Sequence, residues 1–158
     1  MRDKRFIAEH RGGLLTLAEH RQLMQWAVLC AIHVLPLLNG KVDERLRFAI
    51  DTAKDWVNGK VTTGQCMKAS LAAHAAARDA ATAVEISVSR SIGQCVATAH
   101  MSDHSLGAAL YALRAVCRAG KDVEKERVFQ WKKLQYLPPH IIELVLKTMS
   151  EKIVSFKM

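Results

Sequence analysis

The sequence predicts an all-α fold, a single-domain bundle of six or seven helices, on three observations. Apolar residues recur at three- and four-residue spacing, while Val, Ile, Tyr and Phe never alternate cleanly for long. Half of the residues are hydrophobic but only 6% are aromatic, so alanine supplies much of the apolar surface and helices can pack closely. Capping and turn signals divide the 158 residues into helix-length segments with no low-complexity linker between them, as expected of one core.

Residues 1–13 read as a basic N-terminal arm ending at the Gly12-Gly13 breaker, and residues 14–158 as the helical domain. Thr16-Leu-Ala-Glu19 is a capping box that opens a helix running to about Leu35, where Pro36 stops it. Leu23, Trp26, Ala27, Cys30, Val34 and Leu37 give that helix one buried stripe. After the Asn39-Gly40 turn, Asp43 caps a second helix carrying Leu46, Ile50, Ala53 and Val57, closed by Asn58-Gly59. Thr62-Thr-Gly-Gln65 is a further capping box, and the third helix carries Met67, Leu71, His74 and Arg78 to about Ala81. A fourth helix is expected over about 83–101, a fifth over about 103–119, and a charged sixth from Asp122 to about Leu134. Pro138-Pro139 opens the last helix, whose stripe is Ile142, Val145, Leu146 and Met149. The alanines of the helices beginning near Lys68 and Asp103 place those two at the centre of the bundle.

Composition narrows the function classes. No stretch approaches ~20 uninterrupted apolar residues, and Leu71 to Ala83 is broken by His74, Arg78 and Asp79. Met1 to Arg11 lacks the apolar run of a secretory signal, so the expected placement is cytoplasmic, with no membrane partner. Cys30, Cys66, Cys95 and Cys117 occur singly on apolar faces, which fits reduced and mostly buried thiols. The formal charge of +8 gathers at the ends, in Arg2, Lys4, Arg5 and Arg11 and in Lys125, Arg127, Lys132 and Lys133. Without interleaved aromatics, Arg-Gly repeats or a base-reading helix, this reads as a solvated basic surface. A basic nucleic-acid-binding helical module stays as a third alternative.

The distinctive polar residues sit among alanines. Lys68-Ala-Ser-Leu-Ala-Ala-His74-Ala-Ala-Ala-Arg78-Asp79 is echoed by Ala97-Thr-Ala-His100-Met-Ser-Asp103-His104. Buried imidazoles and charges are costly unless paired, so His33, His74, Arg78, His100, Asp103 and His104 are expected either to knit the bundle or to form its site. In the favoured reading they are a hydrogen-bonded polar network, with Arg78 pairing near Asp79 or forking onto Asp103. In the alternative, His100, Asp103 and His104 share one helix face at i, i+3 and i+4 and, with His74 and His33, bind a metal or small ligand. Against a metal, the chain has neither Glu-x-x-His nor His-Glu-x-x-His; His74, His100 and His104 are the leading candidate ligands, and no metal or cofactor is expected. Catalysis lacks a constellation too. Cys30 with His33 and Cys95 with His100 are Cys/His neighbours without an oxyanion loop, and Gly12-Gly13 lacks the spacing of a phosphate loop. Trp26, Trp56 and Trp131 read as core or groove-lining residues.

These residues also carry a resemblance. Trp26-Ala-x-x-Cys30-Ala-x-His33-Val-Leu35-Pro36, then Trp56-Val-x-Gly59, then Lys68-Ala-Ser-x-Ala-Ala-His74-Ala-Ala-Ala-Arg78 resemble the bacterial "putative immunity protein" family of polymorphic toxin systems. Ala97-Thr-Ala-His100-Met-x-Asp103-His104-x-Leu-Gly107-Ala-Ala-x-Tyr111-Ala-Leu extends the likeness, which covers roughly residues 14 to 150. The resemblance implies an all-helical fold, no catalytic residue, and neutralisation of a toxin made by the same or a sibling cell. The expected function is therefore non-enzymatic binding that occludes a protein partner. A chain at +8 then points to a toxin that is acidic or not a nuclease, or to a local acidic patch in the contact.

Overall fold

The structure, a computed structural model, describes residues 2–40 and 42–158. Seven helices follow one another: α1 Leu17–His33, α2 Glu44–Val57, α3 Thr63–Asp79, α4 Ala83–Ala97, α5 His104–Arg118, α6 Val123–Leu134 and α7 Pro139–Ser155. Short 3-10 turns lie at Lys4–Phe6, Glu9–Arg11 and Leu35–Leu38. Among the described residues the extended backbone amounts to one isolated bridge, Ala8 to Leu15. The fold is all-α, as the periodicity and capping signals require. Thr16 and Thr62 both close capping boxes, and Asp43, Thr82 and Asp122 accept first-turn amides. Each such cap is worth about 1 kcal/mol, which is why the helix starts were legible.

The centre of the bundle differs from the expectation. It is α4, packed between α3 and α5 and also touching α1 and α2. Its sequence is small rather than alanine-rich: Ser87, Ser89, Ser91, Gly93, Cys95 and Ala97 are all buried. Serine is tolerated there because its hydroxyl replaces lost water with a cross-helix bond. Ser91 donates to the Ala108 carbonyl of α5 at 2.8 Å, and Ser70 of α3 donates to the Gly93 carbonyl at 2.9 Å. Bonds of this kind contribute about 0.5–1.5 kcal/mol each, and their larger effect is to fix which residues face one another.

Instead of one buried stripe, α1 has two. Met24, Ala27, Val28, Ala31 and Val34 pack with α2, α3 and α4, while Leu23, Trp26 and Cys30 face a second cluster built from Leu134, Leu137, Ile141, Leu144 and Val145. The two stripes adjoin to form one broad buried arc, with Ala18, Gln25, Leu29 and His33 left on the exposed side, and α1 lies between the two cores together with α5. This placement also explains a feature the uninterrupted-run argument missed. Leu17–Leu38 has the length and mean hydropathy, 1.3, of a membrane-crossing segment. Here that hydropathy serves two flanking cores.

The basic N-terminal segment, expected as an arm, is folded onto the body. Phe6 is buried in the second core, its carbonyl accepts the Ser102 hydroxyl, and the Leu15 amide donates to Ile7. The apolar run Phe6-Ile7-Ala8 in an otherwise charged segment was the signal for docking. The fourth helix also ends earlier than expected, at Ala97, so His100, Asp103 and His104 do not share a continuous helix.

The close approach of α3 to α4 can be tested at Gly93. A Cβ there would lie 2.7 Å from the His74 ring, whereas one at Gly64 would meet nothing nearer than 3.7 Å. Gly93→Ala should destabilise the protein by about 1–3 kcal/mol through overpacking, and Gly64→Ala should not. Urea melts of both variants read the difference; equal midpoints would show that α3 and α4 are not in this register.

Candidate functional site

The residues singled out in the sequence are distributed over three places. His74 of α3 and His104 of α5 lie on the two sides of α4. His74 Nδ1 accepts a hydrogen bond of 2.8 Å from Arg90, and His104 Nδ1 donates to Gln94 Oε1 at 2.7 Å. Arg90 and Gln94 are one turn apart on α4, so the pairs form a polar seam across three helices. Two glycines make room for it: a Cβ at Gly93 would strike His74, and one at Gly107 would lie 2.6 Å from Gln94 Oε1. Burial holds both histidines below their ordinary value, reinforced at His74 by Arg90, Arg78 and His104. A neutral His74 is what the arrangement needs, since its Nδ1 must offer a lone pair to a guanidinium.

The other members lie elsewhere. Arg78 is exposed and makes neither of its expected pairs. Asp79 instead binds Arg45 at 2.9 Å, and Asp103 binds Arg2 at 2.8 Å. His100 lines a cavity under the N-terminal segment. His33 is distant in function as well as in sequence: its ring stacks on Phe129, centroids 3.5 Å apart, and its Nδ1 is 2.6 Å from Glu126. Among the described residues, no three His, Cys, Asp or Glu side chains gather where they could hold a metal ion, so His74, His100 and His104 do not form the ligand set that a metal reading needs.

The Cys/His neighbours do not meet as nucleophile and base either. Burial pushes the Cys30 and Cys95 thiols far up and Cys66 to about 11, so at neutral pH these are apolar thiols rather than thiolates. Of the four cysteines only Cys117 is exposed.

Several polar residues that organise the structure were missed. Glu126, 3% exposed, and Gln130 anchor α6 to the core. Gln130 donates to the Ala109 carbonyl of α5 at 2.9 Å, and its own carbonyl accepts the Trp26 indole at 3.0 Å. The signal was the series Glu126, Gln130, Leu134 at four-residue spacing, which ends on an obvious core leucine. His20 was hidden in the same way on the Leu23 side of α1. It is buried against Trp56, with ring centroids 4.8 Å apart, and bonded to the Thr98 carbonyl.

Anchoring one face of α6 leaves the opposite face in solvent with unusual cargo. Trp131 is 51% exposed with Val128 near it also exposed, and Tyr136, two residues past the end of α6, is 80% exposed. A groove of about 390 Å³ runs between α6 and α7, lined by Val128, Trp131, Leu146 and Met149. A second, of about 600 Å³, lies between the end of α6 and helices α1 and α2, lined by Leu29, Val57 and Tyr136. The buried indole of Trp26 borders both. Helix α6 is therefore a ridge flanked by two apolar grooves, with Arg127, Lys132 and Lys133 along it.

The fold and this surface define an all-helical protein whose conspicuous exposed chemistry is aromatic, apolar and basic. The chain belongs to the family described as "Imm-5 like putative immunity protein", whose model matches residues 13–137. No curated protein and no solved structure matches it. The matched region runs from the end of the N-terminal segment through α6 and leaves α7 outside.

The buried histidines give a pH prediction. Burial lowers the folded-state values of His20, His74 and His104 from 6.5. As pH falls, the unfolded chain takes up these protons before the folded one does. Stability should therefore be full above about pH 7 and decline between about pH 7 and 5. Urea midpoints across that window should fall with acidification, and less steeply in His74→Gln. A flat profile in the parent protein would mean that the three rings are not held neutral.

Proposed function

We propose that this protein is an immunity protein that neutralises a toxin in the cytoplasm by binding it and covering its working surface, with the α6 ridge as the centre of contact. The observation that carries this reading is the exposure of Trp131 and Tyr136 between two apolar grooves in a chain of an immunity family. Aromatic side chains of this size release about 1.5–3 kcal/mol when fully buried, and tryptophan and tyrosine are the residues that most often dominate an interface. The ridge is held rigidly beneath them by Gln130 and Glu126, so little ordering cost attends docking.

The flanking Arg127, Lys132 and Lys133, together with a formal charge of +8, support an acidic surface on the toxin side. Such complementarity mainly speeds encounter and rejects wrong partners. The aromatic anchors then set the lifetime of the complex.

The test is co-expression with any toxin found encoded beside this protein's gene. The parent protein should protect the cells, and Trp131→Ala with Tyr136→Ala should abolish protection while leaving the melting temperature nearly unchanged. With purified partners the double variant should bind at least about 30-fold more weakly, the effect of losing roughly 2 kcal/mol. Full protection by the double variant would move the contact away from α6. Failure of the parent to bind that toxin would remove the immunity reading for this pair.

A further inference from the structure

A further cavity lies at the N-terminal end of α1. The N-terminal segment, the first turns of α1, the α2–α3 corner and the α4–α5 loop enclose a cavity of about 480 Å³. Arg2, His10, Arg11, His20, Arg21 and His100 all line it, and no carboxylate does. Three arginines and three histidines around one cavity with no acid in the wall, in a chain with 15 acidic residues, is an arrangement that suits an anion, although His20 is held neutral by burial.

The guanidinium groups are not all neutralised from elsewhere. Arg2 is, through its 2.8 Å bond to Asp103. Arg11 and Arg21 form no ion pair among the described residues. The Nε atoms of Arg2 and Arg21 are buried with no hydrogen-bond partner. A buried N–H left without an acceptor costs about 1–3 kcal/mol, more on a charged group, so two in one cavity wall are a standing demand for oxygen ligands. The Arg21 guanidinium lies against the glycine corner after α2, where its Nη2 would sit 3.4 Å from a Cβ at Gly59. His20 is fixed by Thr98 and by Trp56, leaving the polar wall pre-formed.

The rest of the wall is mainly apolar, with Phe6, Leu17, Trp56 and Val61, together with the hydroxyl residues Thr63 and Ser102. A volume of this size lies in the range of small-molecule sites, about 300–1,000 Å³. A bare ion would fill little of it. Two uncompensated arginines match a dianion, and planar donors in a fork suit phosphate oxygens.

We infer that this cavity binds a phosphate monoester of nucleotide size, its phosphate on Arg11 and Arg21 and its organic portion against the Trp56 side. The site is distinct from the α6 ridge, and its occupancy does not depend on the toxin reading, because no toxin enters the test.

Isothermal titration of the full chain at low salt with adenosine monophosphate, inorganic phosphate and adenosine distinguishes the contributions. Adenosine monophosphate should bind saturably with Kd below about 1 mM and raise the melting temperature. Phosphate should bind more weakly, and neutral adenosine not measurably. Arg21→Gln and, at an exposed position that does not threaten folding, Arg11→Gln should each weaken binding about tenfold or more, the equivalent of one lost charge-assisted contact. Arg118→Gln, exposed on α5 and outside the cavity, should change nothing. No saturable binding of the monophosphate at about 10 mM, binding of adenosine equal to that of its phosphate, or an unchanged affinity in both cavity variants would each overturn the assignment. Binding of inorganic phosphate without the monophosphate would overturn it as well.

Discussion

Close contact of α3, α4 and α5 is the constraint on which the rest of the molecule depends. Helix axes approach that closely only where side chains are small, and α4 meets the requirement with serines, a glycine, a cysteine and an alanine on its buried positions. Small residues contribute little hydrophobic area each, so the contact must gain specificity from something else. It does so through polar groups that have a single satisfactory partner. Ser70 and Ser91 reach carbonyls of the next helix, His74 fits over Gly93, and Gln94 fits over Gly107. A one-residue slip of any helix in this layer would leave a buried hydroxyl or imidazole unpaired, at a cost comparable with a large share of net stability.

That constraint fixes what the other helices do. With three helices tied into a thin layer, α1 has to serve two cores, and its second stripe carries Leu23, Trp26 and Cys30 toward α6 and α7. The outer pair is held more sparsely, by the second apolar cluster and by the Gln130 and Glu126 contacts. Polar anchoring on one side of α6 is what permits its other side to carry aromatic residues without being pulled inward. The exposed face is thus a consequence of how the inner face is fastened.

Much of this was legible in the sequence and some was not, for identifiable reasons. Helix starts could be read because Thr16, Asp43, Thr62, Thr82 and Asp122 act within a turn of themselves, and local chemistry is visible in a local window. The family could be read because the histidine-containing runs are distinctive, and the family model matches residues 13–137. The grouping of His33, His74, Arg78, His100, Asp103 and His104 could not be resolved, because it depends on where α4 ends. Termination at Ala97 turns Asp103 toward Arg2, sends His100 to the cavity and leaves only His104 on the His74 side of the problem. Arg90 and Gln94 escaped notice because each looks like an ordinary surface residue until its partners, 16 and 10 residues away, are placed beside it.

The region matched by the family model stops at residues 13 and 137, and the surfaces with unsatisfied chemistry sit at those margins. The N-terminal segment closes the basic cavity, supplying Arg2, His10 and Arg11, while α7 forms one wall of the apolar groove beside Trp131. Both pieces pack on the second core, and both also touch the edge of the layer: Arg2 pairs with Asp103 at the start of α5, and Arg114 and Tyr111 of α5 meet the end of the chain at Lys157 and Phe156. Changes in them would alter cavity and groove directly and reach the seam only at its His104 end, where Arg2 and Asp103 stand beside it, while the His74–Arg90 pair lies farther off. A bundle whose specificity of folding lies in one layer is free to vary its recognition surfaces in another. On the proposed immunity reading, such a separation lets the binding surface change without altering how the chain folds.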